Sequence, residues 1–581
     1  MKFLLAAINA KYIHSNLGVY SLKQYAAPRA RKVQVEIGEY TINHQMEHIL
    51  EDIYKRKPDA VGFSCYIWNI SYVMELVKDM KKVLPRTHIW LGGPEVSYCA
   101  RRILEDHREV TGVMIGEGEE TFARLLEEYQ KIEGAEGRPA SEEEISKKAS
   151  AFSGTAVRLM KEGGKEQAAE NDPAPFLDMD DIPFAYGDLA GFENRIIYYE
   201  SSRGCPFSCS YCLSSIEKKV RFRSIELVKK ELDFFLDHKV PQVKFVDRTF
   251  NCRKDHAMAV WKHIRDHDNG ITNFHFEISA DLLDEEELEL LETLRPGLIQ
   301  LEIGVQTANP DTIREIRRRT DLDKLKKAVG RIKKSRRVHQ HLDLIAGLPF
   351  EDYESFGRSF CQVYAMEPDE LQLGFLKVLK GSYMEEMAES YGLLYRSEPP
   401  YEVLSTRWLS YGDVIRLKGV EEMVEVYYNS RQFIHTLKAL EQEFPSPFAM
   451  FESLADHYEE KNLYGAKHSR IARYEILYQF IESLKPEKEL GRYRDLLIYD
   501  LYLRENVKSR PYFASDQTAW KEEIKPLYDG YFRRHRQKDR RMVHIERMED
   551  GRKILFDYEE RDPIDYNGKA QELSDAGEEN G

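Results

Sequence analysis

Three cysteines, Cys205, Cys209 and Cys212, lie within a segment of eight residues, and the whole chain contains only seven cysteines. Clustered thiols are typical of metal sites, because thiolate sulfur binds both zinc and iron–sulfur clusters. A structural zinc site normally has four ligands, commonly as two separated pairs, and this segment has neither a second pair nor a histidine at zinc spacing. Cys252 lies forty residues further along the chain, so only the fold could make it a fourth ligand.

A four-iron, four-sulfur cluster held by three thiolates keeps one iron without a protein ligand, and that iron can bind a substrate or a cofactor directly. The absence of a fourth cysteine would then leave a binding position on the cluster for that substrate or cofactor. A zinc-binding loop and three free thiols are the two alternative interpretations of the segment.

The cysteine segment follows the first strand of a repeating strand–helix pattern that starts near Ile196. Strand-like segments alternate with helix-like segments such as "SIELVKKELDFFLDH". This α/β repeat predicts a full or partial TIM-like parallel (β/α) barrel over residues 196–405, with its chemistry at the rim formed by the carboxyl ends of the strands. The strand-like segments are "RIIYYESS", "QVKFVDRTFN", "NFHFEISADLL", "LIQLEIGVQT", "HLDLIAGLPF" and "ELQLGFLKVLKGS".

Residues 1–130 show a similar alternation and predict a Rossmann-like, parallel α/β domain. Its strand-like segments are "KFLLAAIN", "AVGFSCY", "HIWLGG" and "GVMIGEGEE". Ligands of such sheets bind at the carboxyl ends of the strands, so the loops after Asn9, Ser64, Leu91 and Ile115 are the places where a ligand is expected.

The remaining segments differ in composition. Residues 131–195 are rich in Glu, Lys, Ala, Ser and Gly and predict a linker that holds one short strand, "GTAVRLM". Residues 406–560 carry aromatic-rich helical patterns and predict a mainly helical C-terminal domain. The polar residues 561–581 predict a disordered tail.

Composition and charge limit the classes of partner. The formal net charge of -15 opposes generalised attraction to nucleic acid, and the basic runs after Ile313 and Phe532 have the helical spacing of solvated faces. No apolar run reaches the roughly 20 residues that cross a bilayer, so we expect no membrane association. The opening segment is typical of a strand rather than a signal peptide, and the odd number of cysteines fits a reducing cytoplasm.

The cysteine spacing, with aromatic Tyr211 before the last cysteine and a preceding strand, resembles the radical S-adenosylmethionine (SAM) enzymes. The resemblance implies a [4Fe-4S] cluster on Cys205, Cys209 and Cys212, with Tyr211 close to the cofactor. It also implies that the open iron binds the amino and carboxylate groups of SAM. One electron from the cluster, supplied by a donor such as flavodoxin or ferredoxin, cleaves SAM, and the resulting 5'-deoxyadenosyl radical abstracts a hydrogen atom.

The resemblance continues along the barrel to about Ser382. In the branch similar to the oxygen-independent coproporphyrinogen oxidases, the positions of Glu277, Gln306, Asp343 and Ile345 hold the amino group, ribose and adenine of SAM. Carboxylates and amides at strand ends suit the ammonium and ribose hydroxyls, and an isoleucine offers an apolar face to adenine. Asp247 is a further, rim-positioned residue that we expect to orient substrate.

Residues 1–130 resemble the cobalamin-binding domain of the cobalamin-dependent radical SAM branch. Paired glycines let the backbone approach a flat or phosphorylated ligand, and a serine can hydrogen-bond the nucleotide tail. The residues that carry this resemblance toward cobalamin are Asn9, Ser64 in "FSCYIWN", Gly92 and Gly93 in "LGGPE", and Gly116, Glu117 and Gly118 in "IGEGEET".

One cobalamin signature is absent. The familiar Asp-x-His-x-x-Gly motif provides a histidine that ligates cobalt, whereas "KYIHSNLG" has Tyr12 in place of the acid and one residue too many between His14 and Gly18. We therefore expect His14 to be a loop or capping residue, and cobalamin to bind without its own base and without a histidine ligand.

Together these features predict a cobalamin-dependent radical SAM methyltransferase that acts on an unactivated carbon of a small-molecule or peptide substrate. A radical cyclase or rearrangement enzyme of the same superfamily is one alternative, and an iron–sulfur sensor or scaffold protein is another. Methylthiolating tRNA-modifying relatives carry extra cluster cysteines before the barrel, but the upstream cysteines here, Cys65 and Cys99, lie in buried-looking contexts, so no second cluster is expected. The helical region resembles an uncharacterised C-terminal domain found in some members of this branch.

Overall fold

Strand β1 (Lys2–Asn9) shows why the N-terminal region folds as a layered α/β domain. Successive side chains of a strand point to opposite faces of its sheet. Leu4, Ala6 and Ile8 pack into the apolar core on one face, and Phe3 and Leu5 pack into a second core on the other. A strand that is apolar on both faces is typical of a parallel sheet covered by helices on both sides.

A computed structural model of the chain describes residues 1–160 and 166–573. The chain divides into two compact units. The first unit comprises Met1–Leu290, Ile313–Arg319 and Phe375–Arg407, and the second comprises Leu291–Thr312, Thr320–Gly374 and Trp408–Gly581.

The first unit begins with a seven-stranded sheet in the order β2-β1-β3-β4-β5-β6-β7. Strands β1 to β5 are parallel, β6 pairs antiparallel with β5, and β7 pairs antiparallel with β6. Its elements are β1, α1 (Leu17–Ala26), β2 (Gln34–Thr41), α2 (Met46–Arg56), β3 (Ala60–Ser64), α3 (Ile70–Val83), β4 (His88–Gly92), α4 (Pro94–Ser97), α5 (Ala100–Asp106), β5 (Gly112–Met114), α6 (Gly118–Glu136), α7 (Glu142–Ala149), β6 (Thr155–Met160) and β7 (Glu166–Glu170).

The sheet corrects the expectation of a linker over residues 131–195. The end of α6, the whole of α7, and strands β6 and β7 belong to the folded N-terminal domain. Ile145 and Ala149 of α7 are buried in the core that Phe3 also joins. The polar composition of this segment reflects its exposed faces and concealed the few apolar residues that attach it.

The strand–helix repeat predicted from residue 196 follows as β8 (Ile197–Tyr199), β9 (Ser202–Arg203), β10 (Arg221–Phe222), α8 (Ile225–Asp237), β11 (Gln242–Phe245), α9 (Lys254–Asp266), β12 (Asn273–Ile278), α10 (Glu285–Glu292), β13 (Ile299–Gln306), α11 (Pro310–Glu315), α12 (Leu322–Ser335), β14 (His339–Ala346), α13 (Tyr353–Tyr364), β15 (Glu370–Phe375), α14 (Tyr383–Glu386), β16 (Leu394–Tyr395) and β17 (Val403–Ser405). In the first unit β11 pairs in parallel with β8 and with β12. In the second unit β13 and β14 pair in parallel, and β15 lies beside β14. The α/β prediction for this region is confirmed.

The rest of the second unit is mainly helical, as predicted, and ends in a small antiparallel sheet. Its elements are α15 (Tyr411–Met423), α16 (Ile434–Leu440), α17 (Pro447–Glu460), α18 (Arg470–Leu484), α19 (Glu487–Arg504), α20 (Lys521–Arg534), β18 (Val543–Arg547), β19 (Lys553–Asp557) and β20 (Lys569–Leu573). None of the helices in the described part of the chain combines the length and apolar character needed to span a bilayer.

Strand β20 corrects the expectation of a disordered tail from residue 561. It pairs with β19, and Leu573 is buried in the small core formed with α20 and β18. Residues 574–581 of the predicted tail lie outside the described residues.

Candidate active site

A cavity of about 1350 Å³ lies at the carboxyl edge of the N-terminal sheet. Residues from the loops after β1, β3, β4 and β5 line it, as the parallel strand order requires. All seven residues expected to face cobalamin line this one cavity: Asn9, Ser64, Gly92, Gly93, Gly116, Glu117 and Gly118.

The same cavity is lined by residues that flank or belong to the cysteine segment. Gly204, Leu213 and Ile216 contribute to its wall. Asn171 and Phe176, from the segment expected to be a linker, line it as well. The loops of the N-terminal sheet and the cysteine segment therefore share one cavity within the first unit.

Gly93 is needed at the floor of the cavity. Its backbone has φ 113° and ψ 175°, a conformation that is essentially restricted to glycine. A Cβ at this position would lie 2.5 Å from the carbonyl oxygen of Cys65. The loops after β3 and β4 can approach each other only because residue 93 has no side chain.

His14 is a loop residue, as expected from the sequence. Its Nδ1 lies 2.7 Å from the hydroxyl oxygen of Tyr198, and burial lowers its pKa, which favours the neutral ring. The N-cap of α1 is Asn16, whose Oδ1 accepts a hydrogen bond from the Val19 amide at 3.3 Å. Asn16 Nδ2 also donates to Ser64 Oγ at 3.0 Å, which fixes this predicted ligand-binding serine.

Backbone contacts hold the cysteine segment in place. Cys205 N donates to the Glu217 carbonyl at 3.1 Å, and Ser210 N donates to the Ile316 carbonyl at 3.0 Å. The thiols of Cys205 and Cys209 are buried, that of Cys212 is partly exposed, and all three are free. The segment is thus tied to the protein on both sides of Cys209.

Arg318 is a neighbour of Cys209 that the sequence did not reveal. Its Nη1 lies 3.3 Å from the Tyr211 hydroxyl and 3.9 Å from Cys209 Sγ. Burial raises the pKa of the Cys209 thiol, and the Arg318 charge opposes that increase. Arg318 belongs to the run "IRRRT", whose charges were expected to be solvated, whereas its side chain places a positive charge beside the Cys209 sulfur.

A buried ion network connects the N-terminal sheet to the cysteine segment. Arg203, two residues before Cys205, places Nη2 2.6 Å from Glu119 Oε1 and Nη1 3.2 Å from Glu117 Oε2. Arg221 also pairs with Glu117. The carboxylate of Glu117, expected to face cobalamin, is therefore held by two arginines at the cavity wall.

Asp247 has a different position from the expected rim residue. It is buried, and it accepts hydrogen bonds from the Ser201 amide at 3.0 Å, from Ser201 Oγ at 2.7 Å and from Ser202 Oγ at 2.6 Å. These bonds fix the chain immediately before the cysteine segment. Asp247 thus supports the segment from inside the protein.

Family models match three consecutive parts of the chain. The B12 binding domain matches residues 4–126, the Radical SAM superfamily matches residues 199–360, and a protein of unknown function (DUF4080) matches residues 389–574. The chain carries a B12 binding domain and a radical SAM domain.

The chain is similar to curated proteins that include a methyltransferase and a cyclase. The cobalamin-dependent radical SAM methyltransferase TokK of Streptomyces tokunonensis is 25% identical over 360 residues, which are 58% of this chain and 50% of that protein. An anaerobic magnesium-protoporphyrin IX monomethyl ester cyclase of Cereibacter sphaeroides is 23% identical over 348 residues, 56% of this chain and 52% of that protein. The chain spans about half the length of these curated relatives.

A solved structure shows the same fold. The cobalamin-dependent SAM radical enzyme OxsB, solved with aqua-cobalamin bound, aligns with a TM-score of 0.58 at 14% identity, covering 86% of this chain and 80% of that chain.

The B12 binding domain implies cobalamin, and the cavity fits a ligand of that kind. Its volume of about 1350 Å³ exceeds the roughly 300–1,000 Å³ of pockets for drug-sized molecules. The glycines at its floor leave backbone accessible to a large, flat ligand. The seven residues expected to face cobalamin are therefore in suitable positions, and their individual contacts stay predictions.

The radical SAM domain implies a [4Fe-4S] cluster and SAM, and the donor set fits the cluster. One short segment carries three cysteines without disulfide bonds, and the adjacent Ser210 Oγ is buried without a hydrogen-bond partner among the described residues. A hydroxyl in this position can donate to a ligand beside Cys209, and hydrogen bonds of this kind tune iron–sulfur clusters.

The residues expected to hold SAM occupy strand positions in both units. In the first unit Glu277 lies near the end of β12. In the second unit Gln306 ends β13 with φ 71°, and its Oε1 is buried without a partner among the described residues. On β14, Asp343 Oδ1 lies 3.1 Å from His341 Nε2, and Ile345 follows two residues later. Their roles toward SAM stay predictions.

Proposed function

We propose that the protein is a cobalamin-dependent radical SAM enzyme that transfers a methyl group to an unactivated carbon of its substrate. The observation that carries the proposal is the shared cavity. Gly93 and Gly116 of the B12 binding domain and Gly204 and Leu213 beside the cysteines line one space in the first unit. A reaction that needs both cofactors requires such a space.

The proposed roles follow from the residue chemistry. Cys205, Cys209 and Cys212 would hold the cluster, and Tyr211 and Arg318 would place a polar edge and a positive charge beside Cys209. Glu277, Gln306, Asp343 and Ile345 would bind SAM. When bound, these cofactors supply an adenosyl radical and a methyl carrier, which no protein side chain provides.

Ion pairs and hydrogen bonds between side chains fix the cavity wall and the segment that precedes the cysteines. Arg203 holds Glu117 and Glu119 at the cavity wall, and Asp247 holds Ser201 and Ser202 before the cysteines. His14, neutral and bonded to Tyr198, can offer a polar ring to the cavity without adding charge. We include a small-molecule or peptide substrate, a flavodoxin- or ferredoxin-like electron donor and a cytoplasmic location in the proposal.

A radical cyclase is the second proposed function, because one relative is named an anaerobic cyclase. The two reactions differ in the fate of the SAM methyl group. A methyltransferase would deliver that methyl group to its product, with the corrinoid as the methyl carrier, whereas the product of a cyclase would not contain it. An iron–sulfur sensor would need neither reaction.

The test uses anaerobically purified protein loaded with iron, sulfide and cobalamin, then supplied with reductant and methyl-labelled SAM. We expect release of 5'-deoxyadenosine and recovery of label in the corrinoid fraction. Cys209→Ala should abolish 5'-deoxyadenosine release while the circular dichroism spectrum stays native. Cys361→Ala, which changes a partly exposed cysteine on α13 in the second unit, is the matched control and should retain 5'-deoxyadenosine release.

The outcomes separate the functions. Absence of 5'-deoxyadenosine from iron-loaded protein would exclude both radical enzymes. Release of 5'-deoxyadenosine without any label in the corrinoid or in a product would exclude methyl transfer and favour the cyclase.

A further inference from the structure

Asp233, His263 and His267 form a group away from the cysteine segment. Asp233 lies on α8, His263 lies on α9, and His267 caps the end of α9. One potential ligand atom from each side chain lies within 4.8 Å of the other two.

The helix spacing explains why both imidazoles face Asp233. Residues four apart lie one turn above each other on the same helix face. The two ring centroids are 4.2 Å apart, and His263 Nε2 lies 2.7 Å from Asp233 Oδ1. Two nitrogens and one carboxylate oxygen therefore converge from neighbouring helices.

The orientation of His267 is a separate observation. Its Nδ1 lies 2.9 Å from the backbone carbonyl oxygen of His263. A carbonyl only accepts, so Nδ1 carries the proton and Nε2 of the neutral ring carries the lone pair. Metal-binding histidines commonly donate their second ring nitrogen to a carbonyl or carboxylate in this way.

We propose that Asp233, His263 and His267 bind a divalent cation of the zinc class. Two imidazole nitrogens and a carboxylate oxygen suit Zn²⁺, which leaves a fourth position for water. Ligand atoms of a tetrahedral zinc ion lie about 3.4 Å apart, given bond lengths of about 2.1 Å. The observed separations bracket that value, since His263 Nε2 lies 2.7 Å from Asp233 Oδ1 and the ligand atoms of the group lie no more than 4.8 Å apart.

Proton balance allows this binding with neutral rings. In the metal-free group His263 donates its Nε2 proton to Asp233. When the cation binds, the proton of the neutral ring moves to Nδ1, so Nε2 and the carboxylate both become ligands and no redox change is needed. The side chain of His263 is 9% exposed and that of Asp233 is 45% exposed, so the site is anchored on one side and open to solvent on the other.

A hydrogen-bonded Asp–His pair without a metal is the competing explanation. It accounts for the contact of His263 with Asp233, but it does not account for the third side chain, His267, whose ligand atom lies within 4.8 Å of the other two. A bound cation would link α8 to α9 and stabilise the folded protein, because it binds the native state in preference to the unfolded chain.

The test measures zinc binding by cluster-loaded protein in equilibrium dialysis, with iron counted in the same samples. Constant iron shows that zinc has not replaced the cluster. We expect wild type to bind one zinc more than His267→Ala, or His267→Ala to bind at least about tenfold more weakly. Zinc should raise the melting temperature of wild type and have a smaller effect on the variant.

His238→Ala is the matched control. His238 is exposed at the end of α8, and its Nδ1 also lies near a backbone carbonyl, that of Phe234 at 2.7 Å, but it is outside the group. The His238→Ala variant should bind as much zinc as wild type, with the same affinity. Asp233→Asn gives a second ligand variant in case His267→Ala has changed packing. Equal zinc content and equal affinity in wild type, His267→Ala and Asp233→Asn would overturn the proposal.

Discussion

Arg203 Nη2 lies 2.6 Å from Glu119 Oε1, so an ion pair joins the first turn of α6, in the B12 binding domain, to the chain two residues before Cys205. The arginine side chain is 14% exposed and the glutamate 6%. Burial makes such a pair sensitive to the loss of one partner, since the other charge is left without compensation.

Arg203→Met should destabilise the first unit by about 3–5 kcal/mol. It should also reduce recovery of labelled methyl in the corrinoid fraction more than it reduces 5'-deoxyadenosine release, because it frees the loop at the cobalamin cavity. Thermal melting measures the stability. The amounts of labelled corrinoid and of 5'-deoxyadenosine, each relative to wild type, measure the effect on the two reactions. Arg124→Met is the control. Arg124 pairs with Glu120 one turn away on α6 and is 46% exposed, so its loss should cost only about 0.5 kcal/mol. Equal losses in both variants would contradict the role of Arg203.

Arg318→Met should lower the reduction potential of the cluster by tens of millivolts. The guanidinium charge lies 3.9 Å from Cys209 Sγ, and a nearby positive charge stabilises the more negative, reduced cluster. A redox titration followed by electron paramagnetic resonance measures the potential. Arg318→Lys retains the positive charge and should lower the reduction potential less than Arg318→Met does. Arg317→Met, at an exposed neighbour that stacks on Tyr383, should leave it unchanged. A potential that is the same in Arg318→Met and wild type would show that the charge does not act on the cluster.

Gly93→Ala should destabilise the B12 binding domain by on the order of 3 kcal/mol and weaken cobalamin binding. The added Cβ would meet the Cys65 carbonyl oxygen at 2.5 Å, so the two loops at the cavity floor must separate. Spectrophotometric titration with cobalamin and thermal melting check both effects. Gly134→Ala is the control, since nothing lies within 4 Å of a Cβ there, and it should be neutral or stabilise α6 by up to about 1 kcal/mol. Unchanged cobalamin affinity in Gly93→Ala would argue against a binding role for this loop.

Glu351→Gln should change how the stability of the second unit depends on pH. Glu351 is 1% exposed, accepts hydrogen bonds from Thr307 Oγ1 at 2.6 Å and Ser359 Oγ at 2.9 Å, and burial raises its pKa from 4.5 to about 7. A carboxyl whose pKa is raised by folding favours the folded state below pH 4.5, and this contribution disappears as pH rises to about 7.

The variant should therefore be more stable than wild type at pH 8, by up to about 3 kcal/mol, and gain little at pH 5. The difference in melting temperature between the two proteins at each pH gives the result. Glu354→Gln, at an exposed position on α13, should show no such difference. If Glu351→Gln and wild type have the same melting temperature at pH 8 and at pH 5, folding does not raise the pKa of this carboxyl, and the group is ionised in the folded protein at neutral pH.

The sequence by itself determined the chemistry of the ligands and the strands that present them. Cys205, Cys209 and Cys212 are close because they are neighbours along the chain, whatever surrounds them. Gly93 and Glu117 could be expected at one edge because the carboxyl ends of parallel strands meet there. These inferences need only local spacing and the alternation of strands and helices.

Only the tertiary structure decided which charges surround those ligands and where the domain ends. Arg203 and Glu119 are 84 positions apart, and Arg318 and Cys209 are 109 apart. No local pattern pairs them, since such contacts arise when distant elements pack. The same reason explains α7 and β20, whose few apolar residues join a core although their polar neighbours indicated a linker and a tail.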